Sequence, residues 1–327
     1  MKVLITGGTG FIGSRLALKC AVAGHQVTVL GQENTPAEAA NKKLVEGKGA
    51  EVVLRSVTDS KLGDLLHGFD FVFHLAAAQH EMNVPDQRFW DVNVKGTKNI
   101  LEASVKAGVR RFIHGSTIGV YGAALDGMLD EASATKPDNI YGVTKLEGEK
   151  AVRSFGAIPV TVVRISETYG PGDHRLLKLF KAIKKGAFFM IGKGTNSHHL
   201  IYIDDLCEAL LTAASSPKAE GETFVFAGKD VVTTNEMVAI IAAKLGTDTW
   251  RFHAPLYPFI ALATVLEKTL RPLNVQPPLH RRRLDFFKKS FAFSQEKTRN
   301  VLGFAPRVGF REGVSATADW YRQIGYL

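Results

Sequence analysis

The chain has 327 residues, 45% of them hydrophobic, which is enough for an α/β domain with a smaller lobe. The formal net charge of +9 is spread along the chain, which argues against a nucleic-acid-binding protein. Two cysteines, Cys20 and Cys207, lack the spacing of a metal or redox motif, so we expect no metal site and a reducing, cytoplasmic compartment. The sequence shows no signal peptide and no apolar segment long enough to span a bilayer.

A first strand is predicted at residues 3–5, and it runs directly into a glycine-rich turn. Gly7, Gly10 and Gly13 separate this strand from a predicted helix with one apolar face. Glycines in such a turn let a pyrophosphate approach the backbone amides, and the helix dipole favours negative charge. A glycine-rich turn without a ligand is the alternative, but the position after the first strand favours a dinucleotide site.

The second strand is predicted at residues 27–30, and the residues after it would meet the adenosine ribose of a dinucleotide. An acid at this point suits NAD, whereas an Arg suits NADP. Glu33 is the acid at hand and no Arg is present, so the sequence favours NAD and leaves NADP open. After the third strand, at residues 52–54, Asp59 is placed either to accept the adenine amino group or to cap the next helix.

The fourth strand is predicted at residues 71–75, and it ends at Leu75, Ala76 and Ala77. Small residues here let a cofactor lie flat against the backbone, although close helix packing explains them equally well. Asn93 follows on an otherwise apolar helix, where an unpartnered buried side chain would cost about 1–3 kcal/mol.

Ser116 and Thr117 follow the fifth strand, at the sheet edge where open α/β folds place their chemistry. Tyr141 and Lys145 are four residues apart on a predicted helix, which puts both on one face. A phenol has a pKa near 10, and a neighbouring ammonium lowers it. The pair can therefore move a proton on a carbinol oxygen held by a Ser or Thr hydroxyl; a surface Tyr beside a solvated Lys is the alternative.

Later elements complete the predicted fold. A sixth strand covers residues 160–165, and a strand at 200–203 is predicted to return to the main sheet. Another strand covers 223–226, and the proline-containing remainder from 255 onwards is predicted to be irregular.

Seven stretches in the right order resemble the extended short-chain dehydrogenase/reductase family, the NAD-dependent epimerase/dehydratase group, over almost the whole chain. They are residues 6–13, 74–77, 93–97, 116–122, 141–145, 164 with 169–172, and 202–206. The resemblance implies Tyr141 as the acid/base, Lys145 as its partner and a ribose contact, and Thr117 as the hydroxyl that positions the substrate oxygen. It also implies a cofactor lining of Phe11, Ile12, Asp59, Leu75, Ala76, Ala77, Ala78 and Asn93.

Departures from the family pattern concern the substrate. Glu167 stands where the family usually has Asn, and His198 stands where it frequently has Arg. A carboxylate would repel a diphosphate, so both changes argue against a nucleotide-sugar substrate. His198 and His199 are not predicted to be a metal pair, because neighbours on a strand point to opposite faces. Residues 169–173 and the apolar 255–270 stretch also resemble the 3β-hydroxysteroid dehydrogenase branch.

Together these features predict a Rossmann-type doubly wound parallel sheet with a smaller C-terminal α/β substrate lobe. The cofactor domain is predicted to be residues 1–168 and 200–218, and the substrate lobe 169–199 and 219–327. The predicted function is a hydride transfer at a secondary carbinol with NAD, as in a sugar or nucleotide-sugar epimerase. The alternatives are a 3β-hydroxysteroid- or lipid-type dehydrogenase and a non-catalytic NAD(P) sensor. We also expect a small-molecule substrate, a homodimer, and peripheral membrane contact through the basic and aromatic segment 280–293.

Overall fold

The computed structural model describes residues 1–59, 62–65, 67–79, 84–122, 127–248, 252–270, 279 and 281–327. Its strands are β1 (Lys2–Thr6), β2 (Gln26–Gly31), β3 (Glu51–Leu54), β4 (Phe71–His74), β5 (Arg111–Thr117), β6 (Val160–Ile165), β7 (Thr168–Tyr169), β8 (Met190–Ile191), β9 (Ser197–His198), β10 (Ile201–Tyr202), β11 (Thr223–Phe226), β12 (Val232–Thr233) and β13 (His253–Ala254).

Its helices are α1 (Phe11–Val22), α2 (Pro36–Glu46), α3 (Asp86–Trp90), α4 (Thr97–Lys106), α5 (Ile140–Phe155), α6 (Leu177–Lys184), α7 (Ile203–Ser215), α8 (Thr234–Leu245), α9 (Leu256–Leu270), α10 (Arg281–Lys288), α11 (Glu296–Leu302) and α12 (Phe310–Gln323). A π-helical segment covers Asp91–Gly96, and 3-10 turns cover Leu62–Leu65, Ile118–Tyr121 and Pro217–Ala219.

Seven parallel strands form the main sheet, in the order β11-β6-β5-β4-β1-β2-β3. The prediction of a doubly wound α/β fold is therefore confirmed. The chain moves outward from β1 in both directions, which makes the junction of β1 and β4 a switch point. Crevices outside the carboxyl ends of the strands at such a point are where this architecture binds ligands.

The sheet is buried on both faces, which explains why its strands are continuous apolar runs. Along β1, Val3 and Ile5 pack into one hydrophobic cluster and Leu4 packs into the other. Helices α1 and α7 contribute to the first cluster, and α4 contributes to the second. Successive strand residues point to opposite faces, so both layers are fixed by the same short sequence.

Two strands lie elsewhere than the sequence predicts. Ile201–Tyr202 pairs with Thr168–Tyr169 in a separate two-stranded ladder, so the prediction that it returns to the main sheet is wrong. Helix α7 begins at the next residue, which leaves no room for a longer strand. Thr223–Phe226 is the strand that joins the main sheet, beside β6. The boundary predicted at residue 219 assigns this strand to the substrate lobe, and the division into domains remains a prediction.

The C-terminal region is helical, so the expectation of an irregular lobe is wrong for the described residues. Pro255 precedes α9, and Pro258 occupies its first turn, where proline costs no helical hydrogen bond. The prolines at 272, 277 and 278 lie outside the described residues. None of the helices that the structure describes is both long and apolar enough to cross a membrane.

Candidate active site

The turn between β1 and α1 passes close to the chain that leaves β4. Gly7 has a φ of +69°, and a Cβ at this position would lie 2.8 Å from the backbone nitrogen of Ala76. A Cβ on Gly13 would lie 2.4 Å from the carbonyl oxygen of Gly7. Gly10 is the N-cap of α1 and makes no side-chain capping bond, so the first-turn amides are left for an anion. Glycine is thus required by both the turn and its packing.

A cleft of about 860 Å³ follows the carboxyl ends of the strands. It is lined by most of the predicted site residues: Gly7, Gly10, Phe11, Ile12, Gly13, Leu75, Ala76, Ala77, Thr117, Tyr141 and Lys145. Three predicted residues, Glu33, Asp59 and Asn93, are not in the described lining. The structure adds wall residues that the sequence did not single out for this role: Gln32, Asn34, Thr35, Arg55, Ser56, Arg175, Asp285, Phe286, Lys289 and Phe291.

Glu33 makes an ion pair at the end of β2. Its carboxylate lies 2.9 Å from the ammonium of Lys42 on α2. The cleft wall at this point is formed by Gln32, Asn34 and their neighbours. The predicted contact of Glu33 with the adenosine ribose remains a prediction.

The wall after β3 is formed by residues ahead of Asp59. Arg55 and Ser56 line the cleft, and the backbone amide of Asp59 donates to the carbonyl oxygen of Ser56 at 3.1 Å. Because β3 ends at Leu54, the first residues beyond it are the ones that face the crevice. Their position directly after a predicted strand is the signal by which Arg55 and Ser56 could have been identified from the sequence.

A buried chain of hydroxyl and imidazole groups holds the segment after β4. The amide of Ala76 donates to the hydroxyl of Thr6 at 3.2 Å, and this hydroxyl lies 2.8 Å from Nδ1 of His74. Nε2 of His74 lies 2.9 Å from the hydroxyl of Thr97. Burial first and the charge of Lys145 second lower the pKa of His74 to about 3, so the ring is neutral. The chain fixes the backbone of Ala76 against the glycine turn.

Asn93 acts through the backbone of the cleft wall. The amide of Ala78 donates to Oδ1 of Asn93 at 2.8 Å, and Nδ2 of Asn93 donates to the carbonyl of Ala78 at 3.2 Å. Nδ2 also donates to the hydroxyl of Thr144 on α5 at 3.0 Å. The side chain is fully buried, so it positions the wall rather than lining it.

Close backbone packing brings the start of α5 against the end of β5. A Cβ on Gly142 would lie 2.6 Å from the carbonyl oxygen of Gly119. Asn139 caps the helix by accepting the amide of Gly142 at 2.9 Å, and the hydroxyl of Thr117 accepts the amide of Gly119 at 3.1 Å. Tyr141 and Thr117 consequently share one part of the cleft.

Lys145 lies one turn further along α5 and is 1% exposed. Its ammonium donates to the carbonyl of Gly115 at 2.5 Å. Burial lowers its pKa to about 8, although the nearby carboxylate of Glu149 acts in the opposite direction. Lys145 is therefore mostly protonated at pH 7.

Glu149 is a fully hydrogen-bonded carboxylate below the cleft. Arg164 donates to it at 2.9 Å, and the hydroxyl of Ser116 donates at 2.5 Å. Both charged side chains are at least 95% buried. Ser116 donates its hydroxyl proton to Glu149, and the hydroxyl of Thr117 accepts the amide of Gly119 at the same strand end.

Glu167 and His198 are in contact on the wall of the cleft after β6. Nδ1 of His198 lies 3.1 Å from Oε2 of Glu167, and Nε2 lies 3.0 Å from the hydroxyl of Thr234. Burial raises the pKa of the Glu167 carboxyl, but the bond and charge of His198 and the charge of Arg175 outweigh it and lower the pKa. Glu167 is therefore an anion at neutral pH.

The basic and aromatic segment 280–293 turns its described aromatic residues inward. The ring of Phe286 lies 4.8 Å from that of His198, and Phe293 is 2% exposed. Lys289 pairs with Asp138 at 2.7 Å. This segment contributes a wall of the cleft, so membrane contact through it remains a prediction that these phenylalanines do not support.

This fold and site define a dinucleotide-dependent enzyme of the short-chain dehydrogenase/reductase type. The model of the NAD dependent epimerase/dehydratase family matches residues 3–227, and the chain belongs to this family.

Characterised relatives match along nearly the whole chain. The chain is 29% identical to a dTDP-glucose 4,6-dehydratase of Streptomyces niveus, covering 98% of this chain and 93% of the relative. It is 27% identical to a UDP-glucose 4-epimerase of Vibrio cholerae, covering 98% and 96%. It is also 27% identical to 3beta-hydroxysteroid-dehydrogenase/decarboxylase isoform 2 of Arabidopsis thaliana, covering 98% of this chain and 62% of that protein.

Solved structures share the fold over the full length. UDP-glucuronic acid 4-epimerase from Bacillus cereus in complex with NAD is 24% identical, with a TM-score of 0.81 and 99% of each chain covered. DesIV, a dTDP-glucose 4,6-dehydratase from Streptomyces venezuelae with NAD and TYD bound, is 27% identical, with a TM-score of 0.81 and coverage of 99% and 97%.

Proposed function

We propose that the protein is an NAD-dependent enzyme that oxidises a secondary carbinol of a sugar and, as an epimerase, reduces the ketone again on its other face. The observation that carries this proposal is the shared cleft of Thr117, Tyr141 and Lys145 with the glycine turn after β1. The turn would bind the cofactor, and the three side chains would act on the reacting oxygen of the substrate. The full-length similarity to a UDP-glucose 4-epimerase supports a nucleotide-sugar substrate.

The residues present fit a dinucleotide. The glycines leave the start of α1 open to a pyrophosphate, because a Cβ at Gly7 or Gly13 would collide with backbone. Leu75, Ala76 and Ala77 line the cleft beyond it, and Lys145 would contact the second ribose. The cleft volume of about 860 Å³ is in the range of cofactor sites. NAD, when bound here, would supply the hydride acceptor.

Tyr141 is the proposed general acid and base. In the proposed reaction its phenolate takes the proton of the carbinol and returns it when the ketone is reduced. The buried ammonium of Lys145 stabilises the phenolate, and its effect is large because the surroundings have a low dielectric constant. The hydroxyl of Thr117 donates to the carbinol oxygen and fixes its position.

A second candidate is a 3β-hydroxysteroid- or lipid-type alcohol dehydrogenase. The similarity to the Arabidopsis enzyme favours it, and so do Phe286 and Phe291, which present aromatic surface on the substrate side of the cleft. The two candidates differ in cofactor balance. An epimerase regenerates NAD and releases no NADH, whereas a dehydrogenase produces NADH in step with its product.

Tyr141→Phe tests both candidates against a non-catalytic NAD sensor. The purified protein is incubated with NAD and UDP-glucose, or with NAD and a 3β-hydroxysteroid, and isomer formation and NADH are measured. We expect the variant to lose at least 100-fold of the activity while binding NADH normally, because only the proton acceptor is removed. Tyr257→Phe, at a tyrosine that is 83% exposed, is the matched control and should leave activity unchanged. Equal turnover by Tyr141→Phe and the wild type would refute the proposal.

The remaining expectations concern the setting of the enzyme. We propose a cytoplasmic enzyme that forms a homodimer through α4 and α5, which expose one side away from the sheet. Peripheral membrane contact through 280–293 would have to use the basic side chains of that segment. Sedimentation analysis tests the dimer, and vesicle flotation tests the membrane contact.

A further inference from the structure

The two residues at which the chain departs from its family are partners. The side chains of Glu167 and His198 lie 3.1 Å apart, so the two departures form one hydrogen-bonded unit. The sequence separates these residues by 31 positions, and only the fold shows that they belong together.

His198 is held so that it presents Nδ1 to the carboxylate. A carboxylate only accepts hydrogen bonds, so Nδ1 carries the proton in this contact. The other ring nitrogen lies 3.0 Å from the hydroxyl of buried Thr234, and Phe286 packs against the ring. The imidazole is 3% exposed, whereas the side chain of Glu167 is 42% exposed toward the cleft that it lines. The pair thus presents an oriented carboxylate to the ligand space.

This carboxylate lies two residues beyond Ile165 of β6, the residue that pairs with Thr117 of β5. Arg175 is close enough to both Glu167 and Tyr141 to interact with each. Burial lowers the pKa of Arg175, but Asp173, Glu167 and Tyr141 together raise it. Arg175 also donates to Asp173 at 3.1 Å, so its charge is already matched. Glu167, Asp173 and Arg175 sum to one negative charge.

A second group of paired charges lines the cleft beside Phe286. Lys289 lies 2.7 Å from Asp138 and 3.5 Å from Asp285. Two of the cations that line this end of the cleft are therefore matched by carboxylates. A substrate group entering here meets the exposed carboxylate of Glu167 as a hydrogen-bond acceptor.

We propose that Glu167, oriented by His198, selects substrates that carry a hydroxyl rather than a carboxylate next to the reacting carbinol. A hydroxyl donates to the carboxylate oxygen, whereas an acidic group would be repelled and would lose water without gaining a partner. This inference rests on the proposed function and narrows its substrate class to neutral sugars or neutral sterols. Glu167 is a specificity residue, and His198 is a positioning residue.

Matched ligand pairs test the proposal by binding to the NAD-loaded protein. One pair is UDP-glucose and UDP-glucuronate, and the other is a 3β-hydroxysteroid with and without a 4-carboxylate. Calorimetry should show at least tenfold tighter binding of the member without the ring carboxylate, in the pair that binds. Glu167→Gln should reduce this ratio of dissociation constants at least fivefold, mainly because the acidic ligand binds more tightly. Glu208→Gln removes an exposed carboxylate on α7 and should leave the ratio unchanged.

His198→Asn tests the positioning role. It should raise KM for the neutral substrate several-fold with little change in kcat, because Tyr141 is untouched. Equal binding of both members by the wild type, or a ratio that Glu167→Gln leaves unchanged, would overturn the inference. Failure of hydride transfer concerns the proposed function, whereas the charge preference is read from binding alone.

A measurement without substrate keeps the inference testable if none of the four ligands binds. An NMR titration of the Glu167 carboxyl carbon, assigned by its loss in Glu167→Gln, should show an anion at pH 7. His198→Asn should raise the pKa of this carboxyl. A protonated Glu167 at pH 7, or one indifferent to His198, would contradict the proposal.

Discussion

Replacing Lys145 by Met should stabilise the protein and abolish its activity. The fall of the Lys145 pKa from 10.5 to about 8 corresponds to roughly 3 kcal/mol, at about 1.4 kcal/mol per pH unit. This is the cost of holding the charge in the interior, and burial is the cause. Met fills a similar volume but gives up the bond to the carbonyl of Gly115, at about 1 kcal/mol. We expect a net gain of about 2 kcal/mol at pH 7.

The gain in stability that Lys145→Met gives should depend on pH. The pKa of Lys145 is lower in the folded chain than in the unfolded chain, so the unfolded chain binds more protons between about pH 8 and 10.5. Wild-type stability therefore rises through this range relative to Lys145→Met. The cost of the buried charge is fully present below pH 8 and disappears by about pH 10.5, where the hydrogen bond should leave the wild type about 1 kcal/mol more stable than Lys145→Met.

Urea unfolding of both proteins without cofactor, at pH 7 and near pH 10, measures this difference. Lys150→Met is the matched control on the same helix. Its ammonium is paired with Glu147 and is 63% exposed, so the change should stay within about 0.5 kcal/mol at either pH. A Lys145→Met protein that is less stable than the wild type at pH 7, or a difference that ignores pH, would refute the reasoning.

Two further substitutions test the cofactor side. Asn93→Ala leaves the amide and carbonyl of Ala78 without their partner, so we expect a loss of about 2–3 kcal/mol in urea unfolding and weaker NADH binding; unchanged stability would show that Asn93 is dispensable. Glu33→Gln should change the dissociation constant of NADH less than twofold, because Lys42 already holds the carboxylate. Fluorescence titration with NADH and NADPH measures it, and a tenfold loss for NADH would mean that Glu33 reaches the ribose.

The sequence alone predicted the parts of the fold that local chemistry dictates. The first six strands are short apolar runs, and the glycines after β1 satisfy a backbone constraint that depends on their immediate neighbours. The spacing of Tyr141 and Lys145 places them on one helix face whatever surrounds the helix. These features can be predicted from the sequence because they depend on residues close together in the chain.

Tertiary structure decided what distant residues do to one another. Which short strand joins the main sheet, β10 or β11, depends on the path of α7 between them. The partner of Glu33 is on a neighbouring helix. Glu167, between β6 and β7, contacts His198 of β9. A local pattern carries no information on these distances. Sequence therefore predicted the residues proposed for the reaction, whereas folding determined which charged side chains meet in the cleft.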